Sequence, residues 1–271
     1  MCIRDRIRGA VLGSPITHSL SPRLHRTAFS FLGVAGSYEP IEVPAGSLGP
    51  FIEKRGEEFD YFSLTMPLKE EVLLLSIHSD PLLTKIQSAN TLWKKDGEWS
   101  LTSTDGSGFL SALAHAGLQA FNRVLILGAG GTARAVAGAM DGISKEIHVL
   151  GRSSVRAPAL KSSVTTSEFE YIPWNTGADF ESYDLVVNTT PAGAADLLAD
   201  SVRGGTSGVL FDVIYKPWPT VLAGAWRDSG GKVIGGLELL LYQGIDQLEL
   251  VLGQSLDREK LATHLRSALR R

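Results

Sequence analysis

The stretch RVLILGAGGTARAVAGAM, residues 123–140, decides the fold of the second half of the chain. An apolar run ends at Leu127, and Gly128, Gly130 and Ala133 follow in the spacing G-x-G-x-x-A. This pattern predicts a strand, a tight turn and a helix, with the glycines letting the backbone approach a pyrophosphate. Free N–H groups at the start of the helix favour the same phosphates. We therefore predict a dinucleotide site that includes Gly128, Ala129, Gly130, Gly131, Thr132 and Ala133. The open alternative is a tight turn that binds no ligand.

Further short apolar runs follow the glycine motif and predict the rest of this domain. They lie at residues 146–150, 169–173, 183–189, 208–215 and 232–235, separated by helical or small-residue stretches. Six strands in such an alternation predict a doubly wound, Rossmann-type sheet over residues 105–237.

The loop after the second predicted strand indicates which dinucleotide binds. An NAD site usually places Asp or Glu there, whereas an NADP site supplies Arg to the 2′-phosphate. No acidic residue lies between Glu146 and Glu168. The loop instead offers basic and hydroxyl side chains that can donate to a phosphate, namely Arg152, Ser153 and Arg156. We predict NADP, with a solvated basic loop as the alternative, and extend the cofactor site to Thr190, Val213 and Gly236.

The first part of the chain predicts a second α/β domain, over residues 1–104. Residues 8–15 read as a strand, and residues 21–33 as a helix with Ser21 as N-cap and Pro22 in the first turn. Asp96-Gly97 between two short strands predicts a hairpin. Two amphipathic helices are predicted after residue 238 and are assigned to this first domain.

Composition and charge exclude several classes of function. The 271 residues are 44% hydrophobic and carry a formal net charge of −3, which gives no basis for binding nucleic acid or an anionic membrane. No apolar run reaches the ~18–20 residues that span a bilayer. Cys2 is the single cysteine, so disulfides and a Cys-ligated metal are not expected, and a cytoplasmic setting fits.

The opening MCIRDR resembles translated sequencing-adapter sequence, and we give residues 1–6 no functional weight.

Five further segments carry a resemblance to a known family. They are GSPITHSLSPRLH (13–25), TMPLK (65–69), SANTLW (88–93), STDGSG (103–108) and YQGIDQLEL (242–250). Their order and spacing, with the glycine motif between the last two, resemble shikimate dehydrogenase from about Gly9 to Gly253. The resemblance implies two α/β domains, the C-terminal helices returning to the first. It also implies reversible, NADPH-dependent reduction of 3-dehydroshikimate to shikimate in aromatic amino acid biosynthesis. We expect no metal site and a monomer or homodimer.

The same resemblance implies roles for individual residues. Lys69 and Asp105 match the catalytic pair. The residues that match the substrate-binding groups are Ser19 and Ser21 for the carboxylate, Thr65, Asn90 and Gln243 for the ring hydroxyls, and Tyr215 beside the carboxylate and nicotinamide. An ammonium near the substrate carbonyl can stabilise the developing alkoxide and supply its proton. Read without the resemblance, Lys69 could be an ordinary solvated lysine, and Asp105-Gly106 a simple turn. We assign no catalytic or metal-binding role to His18 or His25.

The sequence departs from the family pattern at several positions. Ser63, Ser103 and Gly151 each stand where the pattern has Asn, Lys216 also replaces Asn, and NTTP at 188–191 replaces NATS. Because Gly151 lacks a side chain near the adenosine ribose, selectivity for NADP would depend on the basic loop that follows. Two alternatives stay open: a quinate/shikimate dehydrogenase of a catabolic or aminoshikimate pathway, and a non-catalytic paralogue that binds NADP.

Overall fold

The computed structural model describes residues 6–176 and 178–270, so Cys2 lies outside the described residues. Its contacts divide the chain into two compact units. One contains the chain up to Gly108 and from Leu240 onward, and the other is Phe109–Leu239. Both divisions fall inside helices, Asp105–His115 and Gly236–Leu252. The divisions predicted from the sequence, after residues 104 and 237, fall at the start of the first helix and inside the second.

The first unit is built on a six-stranded mixed sheet in the order β2-β1-β3-β5-β6-β4. Strands β1, β2 and β3 are parallel, whereas β5 runs antiparallel to both β3 and β6. Its elements are β1 (Ile7–Gly13), α1 (Ser21–Leu32), β2 (Gly36–Glu42), α2 (Leu48–Arg55), β3 (Tyr61–Leu64), α3 (Leu68–Glu71), β4 (His78–Ser79), α4 (Leu82–Ile86), β5 (Thr91–Lys95), β6 (Glu98–Thr102) and the start of α5 (Asp105–His115).

The hairpin predicted from Asp96-Gly97 is confirmed. Lys95 pairs with Glu98 across a two-residue turn. Asp96 has φ 53° and Gly97 φ 90°. Positive φ at both central residues matches the strand twist and explains why Asp-Gly stands here.

The prediction that Ser21 is the N-cap of α1 is wrong. The helix begins at Ser21 and Leu20 occupies the capping position, without a side-chain cap. The hydroxyl of Ser19, two residues earlier, accepts a hydrogen bond from the Ser21 N–H (3.3 Å). This acceptor lets the chain enter the helix one residue sooner, with Pro22 in the first turn as predicted.

The second unit is a parallel six-stranded sheet in the order β12-β11-β10-β7-β8-β9. Its elements are β7 (Phe121–Leu127), α6 (Gly131–Met140), β8 (Ser144–Gly151), α7 (Ala157–Ser163), β9 (Glu168–Pro173), β10 (Leu185–Asn188), β11 (Val209–Asp212), α8 (Val221–Asp228) and β12 (Lys232–Gly235). This order is that of a doubly wound dinucleotide-binding sheet. The fold class predicted from the glycine motif is therefore confirmed.

The last two helices are α9 (Gly236–Leu252) and α10 (Arg258–Leu269). Helix α10 contacts α1. In α9, a Cβ on Gly244 would lie 2.8 Å from Leu24 of α1, so the glycine allows close packing. The predicted return of the C-terminal helices to the first unit is confirmed. Across residues 6–176 and 178–270, every helix is too short or too polar to serve as a membrane span.

Candidate active site

Strand direction brings several predicted site residues to one edge of the first sheet. Because β1 and β3 are parallel, the loops that follow them leave from the same edge, and β5 begins there because it is antiparallel. The Leu64 N–H donates to the Asn90 carbonyl (2.7 Å), and the Asn90 N–H donates to the Thr102 carbonyl (3.3 Å). The ends of β3 and β6 thus flank Asn90. Thr65 comes directly after β3, and Asp105 comes shortly after β6.

Lys69 and Asp105 form an ion pair at this edge. The Lys69 Nζ donates to Asp105 Oδ2. The side chains are 17% and 5% exposed, respectively. Asp105 is the first residue of α5, where the partial positive charge of the helix N-terminus favours a carboxylate. The geometry therefore joins an ammonium to a mostly buried carboxylate that can orient it.

Asn90 holds the other oxygen of the carboxylate. Its Nδ2 donates to Asp105 Oδ1 (2.8 Å) and to Gln243 Oε1 (3.2 Å). Its Oδ1 accepts the Thr104 N–H (2.8 Å), which fixes the orientation of the amide. Gln243 comes this close because Gly108 leaves room for α9: a Cβ there would lie 2.6 Å from the Gln243 nitrogen. The structure thus brings together four predicted site residues that are distant in sequence.

Four consecutive buried hydrogen bonds connect Tyr38 of β2 to Asn90. We call this series the donor chain. The Tyr38 hydroxyl donates to Ser63 Oγ (2.5 Å), which donates to Gln247 Oε1 (2.7 Å). Gln247 Nε2 donates to Thr91 Oγ1 (2.9 Å), which donates to Asn90 Oδ1 (2.7 Å). Each group donates onward, so the amide nitrogen of Asn90 faces the carboxylate of the ion pair.

Sequence reasoning missed Tyr38 and Gln247. Gln247 lies four residues after Gln243, on the same face of α9, and this spacing could have identified it. No signal in β2 singles out Tyr38. Its hydroxyl nevertheless accounts for Ser63, since a short side chain leaves room for the tyrosine oxygen to bond there.

His18 and His25, the two histidines of the segment 13–25, have different surroundings. His25 is buried and stacks on Tyr38 at 4.1 Å between ring centroids, and its Nδ1 lies 2.8 Å from the Tyr61 hydroxyl. Burial lowers the pKa of His25 to about 3, so the ring is neutral near pH 7. His18 is exposed in the loop between β1 and α1.

The loop that leads through Ser19 to Ser21 at the start of α1 is held against the loop of Thr65 at the same sheet edge. The Ser14 N–H, just after β1, donates to the Met66 carbonyl (3.0 Å) in the loop after β3. A Cβ on Gly13 would lie 2.4 Å from Thr65 Cγ2, so the two loops are in close contact. Ser19 is half-buried and Ser21 buried.

In the second unit, the predicted cofactor loop lies between β7 and α6. Gly128 has φ +104°, and a Cβ there would lie 2.7 Å from Thr189 Oγ1, so both conformation and space require glycine. Gly130 is the N-cap of α6, and a Cβ on it would point into open space. Ala133 is fully buried against the sheet. The N–H groups in the first turn of α6, beside this open space, suit a pyrophosphate.

The basic loop follows β8 and lies against the glycine loop. Arg152, Ser153 and Arg156 are exposed. The Arg156 Nη1 donates to the Ala129 carbonyl (3.4 Å). The Tyr171 hydroxyl, which sequence reasoning did not single out, donates to the Ser153 carbonyl (2.7 Å). Guanidinium groups at this position suit a phosphate on the ribose.

The remaining predicted residues follow later strands of the same sheet. Thr190 is next to the glycine loop, since its Cγ2 would be 3.2 Å from a Cβ on Gly128. Val213 and Gly236 are also neighbours, because a Cβ on Gly236 would lie 2.1 Å from the Val213 carbonyl oxygen. Tyr215 follows β11 in this second unit and is half-buried. Within the described part of the chain, no three His, Cys, Asp or Glu side chains are grouped as in a metal site.

The chain is similar to known proteins in both sequence and fold. The family described as "Shikimate dehydrogenase substrate binding domain" matches residues 11–92. A relative from Thermosynechococcus vestitus, named shikimate dehydrogenase (NADP(+)), is 34% identical, over 96% of this chain and 94% of its own. The crystal structure of Mycobacterium tuberculosis shikimate dehydrogenase has a TM-score of 0.85 at 34% identity, covering 96% of this chain and 99% of the other.

A third protein was solved with ligands. It is shikimate 5-dehydrogenase from Thermus thermophilus in complex with NADP(H) and shikimate, with a TM-score of 0.81 at 32% identity over 97% of this chain and 99% of the other. These similarities extend over nearly the whole chain. The chain therefore belongs to the shikimate dehydrogenase family.

Proposed function

We propose that this protein catalyses the reversible, NADPH-dependent reduction of 3-dehydroshikimate to shikimate. The observation that carries the proposal is the ion pair between Lys69 and the mostly buried Asp105, held on its second side by Asn90. The Thermus thermophilus relative, which was solved with NADP(H) and shikimate, supports the same ligands here.

The chemistry assigned to this pair follows from the needs of ketone reduction. When bound, NADPH supplies the hydride. The Lys69 ammonium stabilises the negative charge that develops on the substrate oxygen and then donates a proton to it. Asp105 keeps the ammonium oriented and accepts a hydrogen bond from a neighbouring substrate hydroxyl. In the oxidative direction, the neutral amine takes the proton back.

The remaining polar groups would bind and orient the substrate. Ser19 and Ser21 donate to the carboxylate, and Thr65, Asn90 and Gln243 hydrogen-bond the ring hydroxyls. Tyr215 is assigned to the region of the carboxylate and nicotinamide. In this proposal the substrate-binding domain is residues 1–104 with 238–271.

The cofactor is assigned to residues 105–237. The glycine loop, from Gly128 to Ala133, would hold the pyrophosphate at the start of α6. Arg152, Ser153 and Arg156 would bind the 2′-phosphate, with Thr190, Val213 and Gly236 lining the same edge of the sheet. The expectations of a cytoplasmic setting and of a monomer or homodimer remain predictions; light scattering after gel filtration tests the second.

The test is the loss of NADPH absorbance with 3-dehydroshikimate, comparing wild type with Lys69→Met. This change keeps the aliphatic stem and removes the ammonium, so kcat should fall about 10²–10⁴-fold with a much smaller change in KM. Lys95→Met, on an exposed lysine at the end of β5, is the matched control and should retain full turnover. A kcat within threefold of wild type for Lys69→Met would contradict the assigned role. Faster turnover of quinate with NAD would favour the sister activity instead.

A further inference from the structure

We propose that Tyr171 is a positioning residue for the loop that distinguishes NADP from NAD, and that Gly151 is glycine because the Tyr171 phenol takes the space of its side chain. This inference rests on the proposed cofactor site and adds to it a residue from the neighbouring strand β9.

The register of the two strands brings Tyr171 to Gly151. Tyr171 pairs with Val149 across β8 and β9, and side chains two residues apart on a strand share a face. The tyrosine ring extends along that face to Gly151. A Cβ there would lie 2.3 Å from the phenolic oxygen, 2.8 Å from Cζ and 2.9 Å from Cε2. The space taken by the tyrosine, rather than a left-handed backbone, therefore accounts for the glycine, and any larger residue would have to displace the ring.

The Tyr171 hydroxyl also holds the backbone of the basic loop. It donates to the Ser153 carbonyl (2.7 Å), which also accepts the Arg156 N–H (3.2 Å). The same oxygen thus joins β9 to the short 3₁₀ turn Ser154–Arg156. The Arg156 guanidinium in turn reaches the Ala129 carbonyl of the glycine loop.

The arrangement has a consequence specific to one cofactor. Arg152 and Arg156 can pair with a 2′-phosphate, which NADP has and NAD lacks. If the Tyr171 hydroxyl positions these groups, its loss weakens NADP binding and leaves NAD binding nearly unchanged. A residue that merely stabilised the sheet would affect both cofactors equally, so the ratio of the two affinities separates the alternatives.

The first variant to test is Tyr171→Phe, which removes only the hydroxyl. Titration calorimetry with NADP⁺ and with NAD⁺ should give a Kd for NADP⁺ about 3–10-fold higher and a Kd for NAD⁺ within twofold of wild type. Tyr183→Phe is the matched control, because it removes a hydroxyl that bonds His148 in the same sheet and not the basic loop. It should leave the ratio of the two Kd values unchanged. Equal losses for both cofactors in Tyr171→Phe, or no loss, would overturn the inference.

A second pair of variants tests the steric part. Gly151→Ala should displace the Tyr171 ring and raise the Kd for NADP⁺ at least as much as Tyr171→Phe does. In a Tyr171→Val background, where the ring is gone, adding Gly151→Ala should change the Kd less than twofold. Equal effects of Gly151→Ala in both backgrounds would overturn the steric claim. Because binding is measured without substrate, failure of wild-type turnover with 3-dehydroshikimate would overturn the proposed reaction while the binding data still decide this inference.

Discussion

Asn90→Asp is a nearly isosteric change that tests the electrostatics of the proposed catalytic pair, Lys69 and Asp105. The Asn90 Oδ1 can still accept from the Thr91 hydroxyl and the Thr104 N–H after the change. The amide nitrogen, which donates to Asp105 Oδ1 at 2.8 Å, becomes an oxygen. Two carboxyl groups then face each other, so one must keep a proton or the pair must separate.

The expected loss of stability follows from the less costly of these two routes. Two charges 2.8 Å apart repel by about 6 kcal/mol at an effective dielectric constant of 20. Keeping a proton on a carboxyl with an ordinary pKa of about 3.9 costs only about 4 kcal/mol at pH 7 and about 1.5 kcal/mol at pH 5. The retained proton can form a short, charge-assisted O–H···O⁻ hydrogen bond to Asp105 Oδ1, which offsets part of this cost, so we expect a loss of about 2–4 kcal/mol at pH 7.

The sign of the pH dependence is fixed by proton binding. The folded variant holds a proton that its unfolded chain releases, so its free energy of unfolding falls relative to wild type as the pH rises from 5 to 7. Urea unfolding at pH 5, 6 and 7 measures this difference. Asn175→Asp, on an exposed asparagine, is the control and should show none of it. A loss for Asn90→Asp that is equal at pH 5 and pH 7, within about 0.5 kcal/mol, would refute the reasoning.

Two further changes test the buried groups around the donor chain. His25, whose pKa burial lowers to about 3, stays neutral when folded, so the unfolded chain gains a proton as the pH falls below about 6.5. This should remove about 2 kcal/mol of unfolding free energy between pH 7 and pH 5, and urea unfolding of His25→Gln should lack that pH dependence. Ser63→Ala should lower the free energy of unfolding by about 2–4 kcal/mol, because it leaves a buried tyrosine hydroxyl and a buried glutamine oxygen without their partner. Ser103→Ala is the matched control, because that buried hydroxyl has no hydrogen-bond partner among the described residues. Urea unfolding of this variant should show no loss of unfolding free energy.

Turns that need an unusual backbone conformation were the part of the fold that could be predicted directly from the sequence. Gly128 and the Asp96-Gly97 turn need backbone conformations that few residues adopt, so they mark their positions without knowledge of the rest of the chain. The alternation of apolar runs with helical stretches then predicted two α/β units. The capping of α1 was mispredicted because the hydroxyl of Ser19, outside the helix, supplied the acceptor.

The candidate site could be predicted only through the resemblance. Lys69 and Asp105 are separated by 36 residues, and Asn90 and Gln243 by 153. Nothing in the local sequence around these residues indicates that they meet, because the order of strands in the sheet and the return of α9 bring them together. Most of the donor chain was missed for the same reason, since its members come from strands and a helix far apart in sequence; only Gln247, four residues after Gln243, had a local signal.

Two departures from the family pattern share a physical explanation. Ser63 and Gly151 each replace a longer polar residue, and in each case a tyrosine from another strand reaches the vacated space. Tyr38 crosses β1 to do so: a Cβ on Gly9 would lie 2.7 Å from its ring and 2.3 Å from the ring of Tyr61, so β1 has glycine where the two tyrosines meet it. Tyr171 needs no crossing, because β9 is adjacent to β8. The Tyr38 hydroxyl donates to Ser63 itself, whereas the Tyr171 hydroxyl passes Gly151 and donates to the Ser153 carbonyl. Each small residue is therefore matched to one tyrosine. A single substitution to asparagine at either position would therefore collide with the tyrosine rather than reproduce the family's arrangement.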